Sequence, residues 1–296
     1  MSILGKIVDT IRPAAKPVRP AVIRVGVGAY SAVHNLSRRK MFRDLHRQDE
    51  SRFKPVGMVK VLKKPLPPKV ADAIFDVAQV VNVATTAGIA HKVTGPLNAA
   101  LQLWVYSYRN SWGMIFHSDN GMIMHQAVLG LSPSADALSV DSLIRERTLS
   151  PDRFSRVYGG IPFAMNIAPT AVYFLSGVAK VRSPMGWKWA GGRALREQVA
   201  ADAIRKEVFG AKAPETAEHV WKAGDKVGVL AAGALAIELG APIALLHPKL
   251  GRAFSLAALS MHWGIYLVMG IKFRYYMTGV GYLPYWPVGP VRGPAD

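Results

Sequence analysis

Apolar residues along this chain gather into long blocks separated by basic stretches, rather than recurring at the spacing of a helix laid on a soluble core. A bilayer core about 30 Å thick takes roughly 20 mostly apolar residues as a helix, and six or seven blocks approach that length. "AVIRVGVGAYSAVHNL" (residues 21–36) is short and carries Arg24, so it reads as a span or an interfacial helix. "IFDVAQVVNVATTAGIA" (74–90) and "LNAALQLWVYSYRNSWGMIF" (97–116) predict a helical hairpin whose turn contains Gly95 and Pro96. "GMIMHQAVLGL" (121–131) predicts a half-span ended by small, turn-forming residues. "GGIPFAMNIAPTAVYFLSGVAKV" (159–181) predicts a span with Pro162 near its start and Pro169 in its interior. "VGVLAAGALAIELGAPIALLH" and "AFSLAALSMHWGIYLVMGI" flank "PKLGR" and predict a second hairpin.

Between the blocks the pattern changes. Residues 37–69 are dense in Lys, Arg and Pro and predict a loop with a surface helix. Residues 193–209 put Leu195, Val199, Ala203 and Val208 near one face, the spacing of a helix lying on a membrane. The expected fold is all-α: a polytopic transmembrane helical bundle of about six or seven membrane segments with interfacial amphipathic helices. It divides into a basic N-terminal segment (1–20), a membrane domain (21–283) and a Pro-rich tail (284–296); the closing stretch "YLPYWPVGPVRGPAD" (282–296) reads as an interface anchor followed by disorder. The first segment has only a short apolar run before it turns basic, so insertion is expected to use an internal span.

Charge sharpens the partner. With 37 Lys and Arg against 19 Asp and Glu, the chain carries a formal +18, concentrated between the apolar blocks. That placement favours anionic membrane lipid, or an acidic partner subunit in a membrane complex, over nucleic acid. No phosphate-binding glycine loop is present, and the absence of cysteine excludes disulfides, thiolate metal sites and thiol catalysis by this chain. No metal site is expected.

Ionisable groups at membrane depth cost about 2.5 kcal/mol or more each, so each needs a reason to be there. The candidates are Arg24, Asp76, Arg109, His125, Glu238 and His262, with Lys180 at a span end. Pairing of Asp76 or Glu238 with Arg24 or Arg109 accounts for four of them without any reaction. His262 is either a neutral ring bonded to a neighbouring helix or a proton carrier. Lys180 either snorkels to the headgroups or sits in an apolar pocket where desolvation frees its amine as a base. Trp187 and Trp189 read as a belt pair that sets helix depth.

At "VYFLSGVAKVRSPMGWKWAGGRAL" the chain resembles the HTTM family, the membrane domain shared with vitamin K-dependent gamma-carboxylases. The residues carrying the resemblance are Tyr173, Phe174, Gly177, Lys180, Trp187 or Trp189, and Gly191 or Gly192. "VIRVGVGAYSAVHNL", "HSDNGMIMHQAVLGLSPSADALSVDSL" and "MHWGIYLVMGIKFRYYM" fall in family order, so the likeness covers most of residues 21–283. It implies a bacterial-type protein of the inner (plasma) membrane acting on a lipid-soluble substrate such as a reduced quinone, menaquinol or vitamin K hydroquinone, or on a membrane-delivered peptide. Lys180 would be the base, His262 a proton relay, and Arg109, Glu238 and Trp187 would line the substrate pocket. Two departures limit it. An Asn-His pair of the carboxylases is here Asn120-Gly121, with His117 and His125 nearby, and the large soluble carboxylase domain has no counterpart. Gamma-carboxylation by this chain alone is therefore not expected. The competing class is a non-catalytic membrane subunit or anchor. Topology divides the two lines of inference: the Lys and Arg excess makes the face after Lys180 cytoplasmic, whereas the resemblance places that lysine on the opposite face.

Overall fold

The computed structural model describes residues 3–113 and 117–292, apart from a few side chains near the edges of those ranges, that of His117 among them. Thirteen α-helices and several short 3-10 turns make up the described residues, with no strand among them beyond isolated bridges joining Ala15 to Ser155 and Val291. The chain separates into two compact units, residues 1–165 with 286–296, and residues 166–285.

The first unit holds α1 (Ile3–Ile11), α2 (Val18–Ser37), α3 (Arg39–Leu45), α4 (Pro68–Ala87), α5 (His91–Asn110), α6 (His117–Gly130), α7 (Val140–Glu146) and the first turns of α8 (Arg156–Val181). α2, α4, α5 and α6 pack together, and a buried network of polar side chains bonds across the bundle they form alongside its apolar residues. Asn35, Asn82, Gln102, Tyr106 and Gln126 are all at most 3% exposed. Asn35 donates to Gln102 Oε1 at 3.2 Å and accepts from Tyr106 at 2.6 Å, while Gln126 donates to Asn82 Oδ1 at 3.0 Å. The outer faces are apolar: Val33, Val77, Val80, Val83 and Val93 are each more than half exposed. A water-soluble bundle has the reverse arrangement.

The α4–α5 hairpin forms, with its turn earlier than the Gly-Pro pair suggests. Gly88 ends α4 in the left-handed region at φ 65°, and Ala90 follows at φ 46°. Gly95 and Pro96 lie inside α5. Gly95 serves packing there, because a Cβ on it would fall 2.4 Å from the Gly130 carbonyl oxygen of α6. Pro96 sits inside the helix in its second turn, where it leaves the Lys92 carbonyl without its i→i+4 backbone donor. The Ser139-x-Asp141 motif works as a double cap. Ser139 accepts from Ser142 N at 2.9 Å to start α7, and Asp141 accepts from Ala90 N and His91 N, both at 2.8 Å, to cap α5.

The second unit holds the rest of α8, α9 (Arg193–Val208), α10 (Glu215–Lys222), α11 (Gly228–Gly240), α12 (Pro248–Met269) and α13 (Arg274–Met277). "PKLGR" is the first turn of α12, not a connecting turn, with His247 as N-cap. Of the face expected on α9, Val199 is buried and Leu195 and Ala203 are half-buried, but Val208 is 73% exposed beside Ile204 and Phe209, so its last turn projects away from the core. Of the stretch expected to be an anchor followed by disorder, residues 293–296 lie outside the described residues. Tyr282 and Tyr285 are buried in the second unit, and Val291 bridges to Ala15 in the first. Their ring areas are too large to leave unpacked where an aromatic cluster is available.

Three helical stretches are long and apolar enough to cross a membrane: Pro68–Ala87, Arg156–Val181 and Gly224–Leu245.

Candidate functional site

In the second unit α8 carries Tyr173, Ser176, Gly177 and Lys180 near one face, at the three- and four-residue spacing that stacks side chains along a helix. Gly177 is where α11 comes closest. A Cβ built there would stand 3.0 Å from the Glu238 Cβ and from the Leu239 side chain, so any larger residue would push the two helices apart. One turn further, Lys180 Nζ donates to both oxygens of Glu238 at 2.6 Å and to Ser176 Oγ at 3.2 Å. Ser176 also donates to Glu238 Oε1 at 3.3 Å. The ammonium stands over the Trp189 ring, 5.1 Å from its centroid. Trp189, Ala194, Ala231 and Leu235 form the apolar floor around this pair, with Val181, Met185 and Leu239 packed on it. Lys180 thus turns inward to a carboxylate instead of reaching for headgroups.

Below the pair on α8, Tyr173 enters an aromatic cluster around His262, which is 1% exposed. His262 Nδ1 lies 2.8 Å from its own helix's Ala258 carbonyl, an arrangement that puts the ring proton on that nitrogen. Tyr282 and Tyr173 hydroxyls lie 3.1 and 3.4 Å from the same atom, and 2.8 Å from each other. The ring stacks on Tyr276 at 5.0 Å. Tyr173 and Lys180 are seven residues apart, roughly 10 Å along the helix, so this cluster and the ion pair are successive stations on one face of α8.

The remaining expected site residues go elsewhere. Trp187 is 67% exposed and contributes no wall to the ion pair; its neighbour Trp189 does so. Arg109 lies in the first unit, donating to Asp119 Oδ2 at 2.7 Å and Asn110 Oδ1 at 3.1 Å. Asp76 takes Arg39 through two bonds of 3.0 and 2.6 Å, with Arg43 at 3.3 Å, rather than Arg24 or Arg109. Arg24, 2% exposed, donates to the Ser134 and Leu138 carbonyls at 3.3 and 2.6 Å. His125 lies 3.0 Å from the Met165 carbonyl. Buried charge in this chain is paired or bonded to backbone, as its cost requires. The pairs are simply not those that composition alone suggests.

Sequence reasoning missed Ser176 as a third member of the Lys180–Glu238 group. Its signal was present, since Ser176 and Lys180 are spaced four apart on a helix. Asp119 and His34 were also missed: His34 Nε2 lies 3.9 Å from Asp119 Oδ1 and accepts from Arg38 at 2.9 Å. Among the described residues no cluster of three or more His, Asp or Glu is placed to hold a metal ion.

No family model matches the chain, and no curated protein and no solved structure shows significant similarity to it.

Proposed function

We propose that this chain is an integral membrane protein of HTTM type, with six or seven membrane segments, that handles protons on a lipid-soluble substrate such as a reduced quinone. The membrane reading is supported by the inverted first unit, with amides inside and valines outside, and by three helices of spanning length. In lipid the apolar face meets its solvent and buried amides bond helix to helix; in water the same arrangement exposes a large apolar surface. A bacterial plasma membrane is the setting the family resemblance implies.

The observation that carries the activity is the Lys180–Glu238 pair, held at 2.6 Å on an apolar floor beside Trp189. An ammonium and a carboxylate at that distance can exchange their proton, giving a neutral amine beside a neutral acid. The amine then accepts the hydroxyl proton of the quinol, and the resulting ammonium faces the quinolate oxygen it has created. Ser176 holds both partners in register, and the tyrosines around His262 supply a buried hydroxyl chain on the same face of α8.

The test uses purified protein in mild detergent with reduced menaquinone or vitamin K and O2, reading the epoxide or other oxidised product by mass spectrometry. A product that disappears with Lys180→Ala supports the assignment. Product unchanged in that variant, or no product above autoxidation, overturns it.

A non-catalytic membrane subunit is the second reading. It is favoured by the lysine-rich, acid-free stretch at residues 53–70.

A further inference from the structure

Two halves of the basic region after α2 behave differently. The arginine-rich half is neutralised within the fold: Arg39 and Arg43 bond Asp76, Arg47 bonds Asp72, and Lys40 bonds Asp44. The following stretch, residues 53–70, contains five lysines, four prolines and no acid. Lys54, Lys60, Lys63, Lys64 and Lys69 are all exposed, and none has an ion-pair partner among the described residues. Free side chains of one sign, held close together, mark a surface built for the opposite sign.

This stretch is pinned to α5. Lys54 N donates to the Ser111 carbonyl at 2.7 Å, Val56 N to Ser111 Oγ at 3.1 Å, and Leu66 N to the Tyr108 hydroxyl at 3.0 Å. Phe53 and Val59 bury against Tyr108 and Ala71, with Leu62, Leu66, Trp104 and Trp112 around them. Gly57 takes φ 59°, which turns the chain so that Val59 faces in while Met58 and Val61 face out, 43% and 76% exposed. The prolines restrict the backbone further, so little ordering remains to be done on binding. The outer face therefore alternates lysine heads with short apolar side chains. That is the composition of a segment resting in a headgroup layer, charge at the phosphates and apolar groups just beneath.

We propose that residues 54–69 form a rigid docking surface for an anionic lipid leaflet, with Met58 and Val61 entering the layer and Lys60, Lys63 and Lys64 contacting the phosphates. This assignment rests on the membrane reading above and is independent of the activity. Each lysine held near an anionic surface contributes about 1 kcal/mol, close to fivefold in partition. Loss of three predicts about a 100-fold weaker seating of the segment.

The chain has no cysteine, so Val61→Cys can carry a single environment-sensitive fluorophore. The labelled protein is placed in nanodiscs of phosphatidylcholine alone and of phosphatidylcholine mixed with phosphatidylglycerol. The expected result is a blue-shifted, brighter emission that depends on phosphatidylglycerol and is abolished by Lys60→Gln, Lys63→Gln and Lys64→Gln together. High salt should also abolish it in the labelled parent, since the screening length falls to about 3 Å at 1 M; this arm decides if the triple variant misfolds. Equal emission in both lipids, or a shift indifferent to salt, overturns the docking surface. Failure of the chain to enter nanodiscs at all overturns the membrane reading and this assignment with it.

Discussion

Two buried ion pairs, one in each unit, look alike in length and differ in kind. Arg109 and Asp119 meet at 2.7 Å with side chains 7% and 9% exposed; Lys180 and Glu238 meet at 2.6 Å with side chains 24% and 9% exposed. Arg109 belongs to a dense polar network with Asn110, and Asp119 also has His34 within 3.9 Å. A guanidinium stays charged at any accessible pH, so that pair can hold helices together but cannot pass a proton through its cation. Lys180 carries a primary ammonium with partial access to the surroundings and an aromatic wall on its other side. Equal distances therefore do not imply equal roles. The two pairs differ in the chemistry of the cation and in how far anything can reach it.

That contrast can be broken experimentally. Removing one partner of a fully buried pair leaves an uncompensated charge and costs about 3–5 kcal/mol, so Arg109→Met should collapse folded yield and thermal stability in detergent. Recovery of parental stability in that variant would end the assignment of Arg109 to structure. Lys180→Arg keeps a cation beside Glu238 but removes the amine proposed as the base. It should unfold within a few degrees of the parent while turnover, if the proposed activity holds, drops by about 10²-fold or more. Wild-type turnover with arginine at that position would sink Lys180 as the base.

Gly177→Ala probes the same pair through packing. Its added methyl meets Glu238 Cβ and Leu239 at 3.0 Å, an overpacking worth about 1–3 kcal/mol. Thermal unfolding of this variant should shift down, and a variant as stable as the parent would show that α8 and α11 have room to spare. Acid should act on the first unit. Burial, and then the nearby Arg24 charge, hold His91 below its ordinary value of 6.5. The folded state favours neutral His91, so its contribution is complete above 6.5 and is lost as the pH falls through the lower folded value. A thermal-stability profile that stays flat on acidification would contradict this. Trp187→Ala should be the mildest change, within about 0.5 kcal/mol, whereas Trp189→Ala should weaken both stability and the Lys180 environment.

Much of the helix layout was legible in the chain, because helix period and block length are local properties. The block at 159–181 is α8, Arg156–Val181, and the amphipathic stretch at 193–209 is α9, Arg193–Val208. Turn placement was less legible. Gly95 and Pro96 look like a turn, yet Gly95 is needed for the approach of α6, a requirement that no local pattern announces. The Tyr-rich tail looked like an interface anchor because its aromatic content is visible in one dimension and its packing partners, such as Thr170 bonded to Tyr285 at 2.9 Å, are not.

The sequence by itself determined that the chain is helical, that its apolar stretches include ones long enough to span a membrane, and that a lysine closes the helix ending at Val181. Tertiary structure alone decided where each charge goes. Lys180 meets Glu238 58 residues away, and Asn35 meets Gln102 67 residues away. Composition identifies charges that must be satisfied, since an unpaired one is too costly to bury. Which partner satisfies them depends on which helix faces come together, and that is a property of the packed helices as a set.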